Sequence, residues 1–289
     1  MLNKRIIGVI IIKNNICVQS INFNTYLPIG NPNIAISYLN KWKIDEIIIL
    51  DIDGQRKSKA DLFKNLPYIT SDCFVPVAAG GGVKNLKDIE NLIKNGADKV
   101  IINTCIFDNK KVIAEGVKEF GSQAIIASLD FKKIENKFIA HTKNGKHNTD
   151  YDVNKIIPIV EEMGVGEIFI NSIDSDGNKN GYNFDLLNSI ESISNIPIIV
   201  CGGAGNASHF LDVMRFNFSG YAAGNFFHFS EQSVVNLKNF IKINSPEINL
   251  RNEKIPTYKS EFDLNYRVKC REDLFLEELK YEYIEEEKI

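Results

Sequence analysis

The sequence predicts a single (β/α)8 barrel built from two duplicated half-barrels and followed by a C-terminal extension. Three observations predict this fold. Short β-branched runs alternate eight times with segments of helical spacing, which is typical of a parallel sheet with crossover helices. Three landmarks of the first half recur in the same order about 122 residues later. The length of 289 residues suits a barrel of about 250 residues with a tail.

The predicted strands are short apolar runs that end in polar residues or glycines. Strands of a parallel barrel are covered on both faces, which favours nearly continuous runs of isoleucine and valine. The eight predicted strands are Arg5–Ile12, Glu46–Asp51, Val75–Ala79, Lys99–Asn103, Ala124–Asp130, Glu167–Asn171, Pro197–Cys201 and Gly220–Ala223.

The segments between these strands carry apolar residues at spacings of three and four, which predicts helices packed on the outside of the barrel. The helix after the second strand has the weakest pattern, and we place it near Lys59–Asn65. The other predicted helices are Ile34–Trp42, Leu86–Asn95, Lys111–Phe120, Val153–Met163, Phe184–Ser192, Ala207–Phe216 and Ser233–Ile243.

The internal repeat supports the count of eight units. Leu50–Gly54 corresponds to Ile173–Gly177, and Ala79–Gly82 corresponds to Cys201–Ala204. The third pair of matching segments is 102–104 and 224–226. A single repeated glycine pair could arise by chance, whereas three ordered matches at nearly constant offset indicate duplication.

The barrel is predicted to cover residues 1–245, and residues 246–289 form the extension. The extension begins with loop-like sequence and continues as an acidic, helix-compatible segment from Arg271 to Lys288. Two interpretations remain open, because the segment could pack over the barrel exterior or be left mobile, or it could dock a partner as a helix.

Composition excludes several classes of protein. A net charge of −3 lacks the basic footprint of nucleic-acid binding, and no apolar stretch approaches the ~20 residues of a membrane span. The apolar run Ile6–Ile12 is followed by Lys13 without a cleavage site, so it suits a strand rather than a signal peptide. The five cysteines form no CxxC pair, which favours reduced thiols in the cytoplasm. We expect no cofactor and no metal.

Two glycine-rich loops follow the third and seventh strands, at the face where active sites of this architecture lie. They are Gly80-Gly81-Gly82 and Gly202-Gly203-Ala204-Gly205. Glycines let backbone N–H groups approach an anion, and each loop is followed one strand later by an asparagine, Asn103 or Asn225. Each loop alone could be a tight turn, but the pair predicts a ligand with two phosphates.

Charged residues stand at both ends of the predicted strands. Asp51, Asp130 and Asp176 follow the second, fifth and sixth strands, where an aspartate can serve as general acid or base or only cap a helix or orient a loop. At the opposite ends stand four residues of alternating sign, which form either a solvated rim or an inward plug that gates the axis. These four residues are Arg5, Glu46, Lys99 and Glu167.

Short segments in a fixed order along the barrel carry a family resemblance. They are Lys4–Ile7, Asp45-Glu46, Leu50–Ile52, Gly80–Gly82, Gly96–Val100, Phe120–Ala124, Gly166–Ile168, Asp176-Gly177, Gly181-Tyr182, Gly202–Gly205, His209-Phe210 and Phe227–Phe229. On these matches, residues 1 to about 245 resemble the cyclase subunit of imidazole glycerol phosphate synthase.

The resemblance implies a glutaminase partner at the bottom of the barrel, ammonia passing along the axis, and a phosphorylated substrate at the mouth. It implies that the four charges at the bottom match the family's gate. It also implies that eight residues match the family's phosphate sites, namely Gly81, Gly82, Asn103, Thr104, Gly202, Gly203, Gly224 and Asn225.

The family's reaction of ammonia addition, lyase and cyclisation steps depends on two aspartates that end the first and fifth strands. Asp130 matches the second, but Ile11 stands where the first belongs, and isoleucine cannot transfer a proton. Gln19 replaces a lysine that holds the ligand, Asn171 stands where threonine is usual, and Gly224 replaces an alanine.

Ile11 together with Gln19 is similar to a sister branch associated with glycosyl amidation. In that branch a barrel and a glutaminase supply ammonia to a separate sugar amidotransferase, often in surface-polysaccharide gene clusters. The first hypothesis is therefore an ammonia-channelling barrel with impaired cyclase chemistry. The alternatives are a working cyclase of histidine biosynthesis, in which Asp130 shares its work with a neighbouring carboxylate, and a purely structural subunit without an ammonia path.

Overall fold

Eight parallel strands close into a barrel, as the sequence predicts. The computed structural model describes residues 3–53, 60–230 and 232–251. Its sheet contains β1 (Arg5–Lys13), β2 (Ile16–Ile21), β3 (Thr25–Gly30), β4 (Glu46–Asp51), β5 (Val77–Gly80), β6 (Lys99–Ile102), β7 (Ile125–Ile134), β8 (Lys137–Thr142), β9 (His147–Asp152), β10 (Glu167–Ser172), β11 (Ile198–Cys201) and β12 (Gly220–Ala223). The ring runs β1-β4-β5-β6-β7-β10-β11-β12, and β12 pairs again with β1. The predicted barrel is confirmed.

Helices cover the outside of the ring, and each of the eight predicted helices overlaps one that is present. The described helices are α1 (Pro32–Lys41), α2 (Ala60–Ile69), α3 (Leu86–Lys94), α4 (Cys105–Asp108), α5 (Lys110–Phe120), α6 (Val153–Glu162), α7 (Phe184–Ile190), α8 (Ala207–Val213) and α9 (Ser233–Asn244). The weakly patterned helix continues through Pro67 to Ile69, because Leu66 and Ile69 are buried on its inner face. Its predicted first residue, Lys59, lies outside the described residues.

The first strand of each half-barrel continues into an antiparallel hairpin. Strand β1 pairs with β2, which pairs with β3, and β7 pairs with β8, which pairs with β9. These four additional strands were not predicted, although Asn14 and Asn15 occupy the left-handed region that a tight hairpin turn requires. Both hairpins leave the barrel at its carboxyl face, so each places extra chain above the site.

The apolar core has two parts. The larger part lies between the strands and the surrounding helices. The smaller part fills the inside of the barrel and is called the lumen here. Its fully buried residues are Ile7, Val9, Ile48, Ala78, Ile101, Ile126, Phe169, Ile199 and Ala222. Inward-pointing side chains of alternate strands therefore form a packed apolar column along the axis.

The bottom of the barrel is held by a buried ion pair and by the start of the predicted extension. Lys238 Nζ lies 2.6 Å from Asp45 Oδ1, and both side chains are fully buried. Leu250 forms a parallel bridge with Lys4, next to the first strand. The predicted acidic helix from Arg271 to Lys288 lies outside the described residues. No described helix has both the length and the apolar character needed to cross a membrane.

Candidate functional site

Four side chains form a closed circuit of ion pairs across the bottom of the lumen, and this circuit is called the charge ring. Arg5 contacts Glu46 at 2.6 Å and also contacts Glu167. Lys99 Nζ lies 2.9 Å from Glu46 and 2.6 Å from Glu167. The side chains point inward, so the solvated-rim interpretation of these charges is wrong. Each carboxylate meets two cations, and the ring has no net charge.

Burial and pairing act in opposite directions within the charge ring. Burial alone would lower the pKa of Arg5, but its hydrogen bonds and attraction to Glu167 and Glu46 raise it above the ordinary value. Burial would raise the pKa of Glu167, yet Arg5 and Lys99 bring it below the ordinary value. Ion pairing therefore wins over desolvation at Arg5 and Glu167, and these two groups stay charged at neutral pH.

At the other end of the lumen a cavity of about 320 Å³ opens, called the mouth cavity here. Its lining brings together the three predicted aspartates, Asp51, Asp130 and Asp176, with Ile11. Residues from both glycine-rich loops and all the predicted phosphate-site residues also line it. The cavity thus brings together the strand ends that the sequence analysis singled out, and their roles stay predictions.

Asp130 is the acid of the mouth cavity with the most perturbed titration. Desolvation and the nearby charge of Asp176 raise its pKa to about 7, although a hydrogen bond from Asn103 opposes this rise. Asn103 Nδ2 lies 2.9 Å from Asp130 Oδ2. Asp130 was expected to end its strand, whereas β7 continues four residues further into the hairpin. A carboxyl group with this pKa can donate or accept a proton at neutral pH.

The other two aspartates hold loops in place. Asp176 Oδ2 accepts hydrogen bonds from Ser20 Oγ at 2.5 Å and from the Phe23 backbone N–H at 3.2 Å. These contacts fix the β2–β3 hairpin above the mouth cavity. Asp51 Oδ1 accepts the backbone N–H of Asp53 at 2.8 Å. The loop-orienting interpretation therefore describes both side chains, although both also face the cavity.

The two glycine-rich loops are closely packed against neighbouring backbone. Gly81 and Gly203 have positive φ values of 141° and 102°. A Cβ on Gly81 would stand 2.4 Å from the carbonyl oxygen of Asp51, and one on Gly203 would stand 1.9 Å from that of Gly181. Glycine is required at both positions for packing alone. A phosphate role for the loops stays a prediction.

The two asparagines predicted to bind phosphate together with the glycine-rich loops, Asn103 and Asn225, form hydrogen bonds with protein groups. Asn225 Nδ2 donates to the carbonyl of Ser20 at 2.7 Å, and its Oδ1 accepts the Ser20 N–H at 3.2 Å. Thr104 Oγ1 accepts the backbone N–H of Lys143 at 3.4 Å. The Asn225 side chain thus holds the β2–β3 hairpin against the barrel through these two hydrogen bonds. Its assignment as a phosphate ligand remains a prediction, and so does that of Asn103.

Three further polar residues of the mouth were not proposed as site residues from the sequence. Ser20 and Tyr26 are on the β2–β3 hairpin, whose strands were not predicted, so nothing in the sequence pattern placed them there. Asn171 was noted only as a departure from the family pattern. Among the described residues, no group of three or more histidines, cysteines or acids is arranged to hold a metal ion.

Comparison with known proteins agrees with this geometry. A family described as histidine biosynthesis proteins matches residues 5–233. The imidazole glycerol phosphate synthase subunit HisF of Sulfurisphaera tokodaii is 37% identical over 244 residues, which is 83% of this chain and 96% of the relative. A putative imidazole glycerol phosphate synthase subunit hisF2 of Vibrio vulnificus is 36% identical over 267 residues, covering 92% of this chain and 97% of the relative.

The HisF subunit of Natranaerobius thermophilus is 35% identical over 251 residues, covering 86% of this chain and all of the relative. The matched span includes the charge ring, the lumen and the mouth cavity. The chain therefore belongs to the histidine biosynthesis protein family, among the HisF subunits of imidazole glycerol phosphate synthase.

Proposed function

We propose that this chain is the ammonia-conducting barrel of a glutamine amidotransferase system, with a glutaminase bound at the bottom of the barrel and its own cyclase chemistry impaired. We further propose that the ammonia serves a separate amidotransferase acting on a surface-polysaccharide sugar. The observation that carries the proposal is the contrast between a complete charge ring and a mouth cavity in which Ile11 faces the same space as Asp130.

The bottom face offers a surface suited to a protein partner. Phe74 lies just before β5, on the side where the charge ring lies, and it is 86% exposed. Its backbone N–H is fixed by Asn40 Oδ1 at 3.1 Å. A solvent-exposed aromatic side chain on a hydrogen-bonded backbone is suited to anchor an interface. A glutaminase seated there would deliver ammonia directly to the charge ring.

The apolar lumen favours the passage of a neutral molecule over that of an ion. Between the charge ring and the mouth its nine buried residues are apolar, so an ammonium ion would have to lose its hydration without compensation. Neutral ammonia loses much less hydration free energy on entry, because it has no net charge. The four ion pairs close the entrance, and we infer that partner binding shifts one of them to admit ammonia.

The mouth cavity lacks half of the acid–base machinery that the family reaction needs. Ile11 cannot exchange a proton with a substrate, and Gln19, on β2 of the hairpin, carries no positive charge where the family has a lysine. Four aspartates and one lysine, Lys84, are the charged residues that line the cavity in the described part of the chain. This balance disfavours a ligand with two phosphates unless backbone N–H groups supply most of the binding.

The test uses the purified barrel with its glutaminase and measures two rates. We expect the barrel to accelerate glutamine hydrolysis while turning over the ribulosyl-type family substrate negligibly. The double variant Ile11→Asp with Gln19→Lys should gain imidazole formation, because it restores both missing groups. Imidazole formation by the unmodified barrel at a rate comparable to its glutaminase rate would contradict the proposal.

A specific observation favours a second candidate, a working cyclase of histidine biosynthesis. Asp176 lies close enough to Asp130 to help raise its pKa to about 7, so a second carboxylate is available at the mouth. Complementation of a cyclase-deficient histidine auxotroph by the unmodified gene would support this candidate. Complementation only by the Ile11→Asp, Gln19→Lys variant would reject it.

A blocked lumen separates ammonia conduction from a purely structural role. Ala78 is buried in the lumen and lies in register with Lys99 of the charge ring. Replacing Ala78 by leucine should obstruct the axis and suppress amidation driven by glutamine, while amidation driven by added ammonium persists. A structural subunit would support both reactions unchanged. Adjacent genes for a glutaminase and a sugar amidotransferase would support the proposed acceptor, and a histidine operon would oppose it.

A further inference from the structure

Asn171 has a buried hydrogen-bond acceptor that no protein group satisfies. The residue is 6% exposed at the carboxyl end of β10. Its Oδ1 atom is buried and accepts no hydrogen bond from any residue within the described ranges. The other two asparagines at the ends of barrel strands, Asn103 and Asn225, donate to protein oxygens. An unpaired buried carbonyl is costly in a folded protein, so we expect an ordered water or a small ligand to satisfy it.

The Asn171 carboxamide faces the mouth cavity beside the second glycine-rich loop. Asn171 and Gly202 both line the cavity, and a Cβ built on Gly202 would stand 2.9 Å from Asn171 Oδ1. Because glycine has no Cβ, the Gly202 backbone lies close to this oxygen, which is itself buried. The carboxamide lines the cavity, so a small molecule in this corner reaches the oxygen when the side chain turns toward the opening.

The position of Asn171 along its strand relates it to the lumen. Strand β10 turns Glu167, Phe169 and Asn171 toward the axis, and they belong to the charge ring, the lumen and the mouth cavity respectively. Asn171 lies in register with Asp130 on one side and with Cys201 on the other. A molecule that travels up the lumen along β10 meets the Asn171 carboxamide as it leaves the apolar column.

The charged groups near Asn171 determine which kind of ligand can bind to its carboxamide. Asp130 and Asp176 lie on the same cavity, so an anion is disfavoured at this depth. A small N–H donor can satisfy the oxygen without burying a net charge. We propose that Asn171 is a positioning residue for ammonia, with its Oδ1 accepting an N–H at the exit of the lumen and holding the molecule beside Asp130. The inference rests on the proposed conduction of ammonia.

The test titrates the barrel alone with ammonium chloride at alkaline pH, where neutral ammonia forms, and with potassium chloride at equal ionic strength. The readout is the carbon-13 shift of the Gly202 carbonyl, which adjoins Asn171 and remains in every variant. We expect saturable shifts with ammonium chloride only. Asn171→Leu should raise the half-saturating concentration about tenfold or more, because one hydrogen bond to ammonia is lost.

Two variants define what the oxygen does. Asn171→Thr keeps a neutral acceptor and loses the NH2 group, so it should retain the response that Asn171→Leu loses. The matched control is Asn178→Leu, which removes an exposed carboxamide already bonded to Asn22 at 3.0 Å outside the cavity, and it should titrate like the unmodified barrel. Thermal unfolding of Asn171→Leu at or above the unmodified temperature would show that the variant is folded.

Three results would overturn the inference. They are an unchanged titration in Asn171→Leu, an equal response to potassium chloride in the unmodified barrel, and an Asn171→Thr variant that behaves like Asn171→Leu. The titration needs no glutaminase and no acceptor enzyme. A barrel that binds ammonia at Asn171 but fails to accelerate glutamine hydrolysis would refute the proposed function and leave this binding site intact.

Discussion

The charge ring and Asp130 occupy opposite ends of the same axis. The ring stabilises the ionised form of its carboxylate Glu167, whereas the mouth destabilises the ionised form of Asp130. In the ring, each carboxylate contacts two cations, and pairing lowers the pKa of Glu167 despite burial. At the mouth, Asp130 has an amide partner and a neighbouring carboxylate, so burial raises its pKa to about 7. The bottom is therefore built to remain charged, whereas the mouth holds an acid that changes protonation near neutrality.

The largest effect should come from removing one charge of the ring. Glu46→Gln keeps the shape of the side chain but leaves Arg5 and Lys99 with Glu167 as their one remaining carboxylate partner in the ring. Breaking one member of a buried ion-pair network costs roughly 3–5 kcal/mol, because a buried charge is left uncompensated. We expect a loss of this size in the free energy of unfolding, measured with urea at neutral pH.

The control for that loss is a surface ion pair. Lys133 Nζ lies 2.8 Å from Asp185, but the two side chains are 43% and 71% exposed. Asp185→Asn should therefore change the free energy of unfolding by less than about 1 kcal/mol, since water screens exposed pairs. Equal losses in Glu46→Gln and Asp185→Asn would mean that the ring is solvated and does not seal the lumen.

The second-largest expected change in the free energy of unfolding is a gain in stability, and it depends on pH. The raised pKa of Asp130 means that its ionised form is destabilised by folding, so its contribution to stability is lost as pH rises through about 7. Asp130→Asn removes that charge and should stabilise the protein at about pH 8 by roughly 1–4 kcal/mol. Near pH 4, about the unfolded pKa of aspartate, the two proteins should unfold at similar urea concentrations.

The same measurement can contradict this view of the mouth. If Asp130→Asn were destabilising at both pH values, the carboxylate would be a paired group like those of the ring. A stabilisation that persists unchanged at acidic pH would indicate a packing effect rather than a titration. Either result would remove the contrast between the two ends of the axis.

The barrel itself could be predicted from the sequence because its signals are local. Runs such as Glu46–Asp51 and Gly220–Ala223 are bounded by polar residues and match the observed strands residue for residue. Position at the start or end of such a run then determines which end of the axis a residue faces. For that reason the sequence alone places the four ring residues at one end of the axis and the three aspartates at the other.

The details of the mouth could not be predicted because they depend on contacts between distant segments. Ser20 is 156 residues from Asp176 and 205 residues from Asn225 in the chain, yet it bonds to both. Nothing in the sequence around Asn225 indicates that its carboxamide holds a hairpin. The two hairpins were missed because their outer strands, β3 and β9, are largely exposed, so these strands carry little apolar pattern.

The third prediction concerns the two hydrogen bonds by which Asn225 holds the β2–β3 hairpin on the barrel. Asn225→Leu removes the two hydrogen bonds to Ser20 and leaves a buried backbone carbonyl without that donor. We expect a loss of about 1–2 kcal/mol in the free energy of unfolding and faster hydrogen exchange through the β2–β3 hairpin. Exchange in the β8–β9 hairpin, which does not contact Asn225, should stay unchanged. If hydrogen exchange became faster by the same factor in both hairpins, the variant would loosen the whole protein rather than release the β2–β3 hairpin.

The smallest effect should be electrostatic and confined to one group. Asp176 raises the pKa of Asp130 through its negative charge, after desolvation as the larger cause. Asp176→Asn removes that charge and should lower the pKa of Asp130 below about 7, as followed by the carbon-13 shift of its carboxyl carbon during a pH titration.

The control is Asp51→Asn, which removes another carboxylate from the same cavity and should leave the pKa of Asp130 unchanged. If both variants lowered it equally, the mouth would respond to total charge, and no specific pair would exist for a proton-transfer role. If Asp176→Asn alone lowered it, then Asp130 and Asp176 would be coupled. The working-cyclase alternative would keep its physical basis only in that case, because Ile11 provides no charge on the other side.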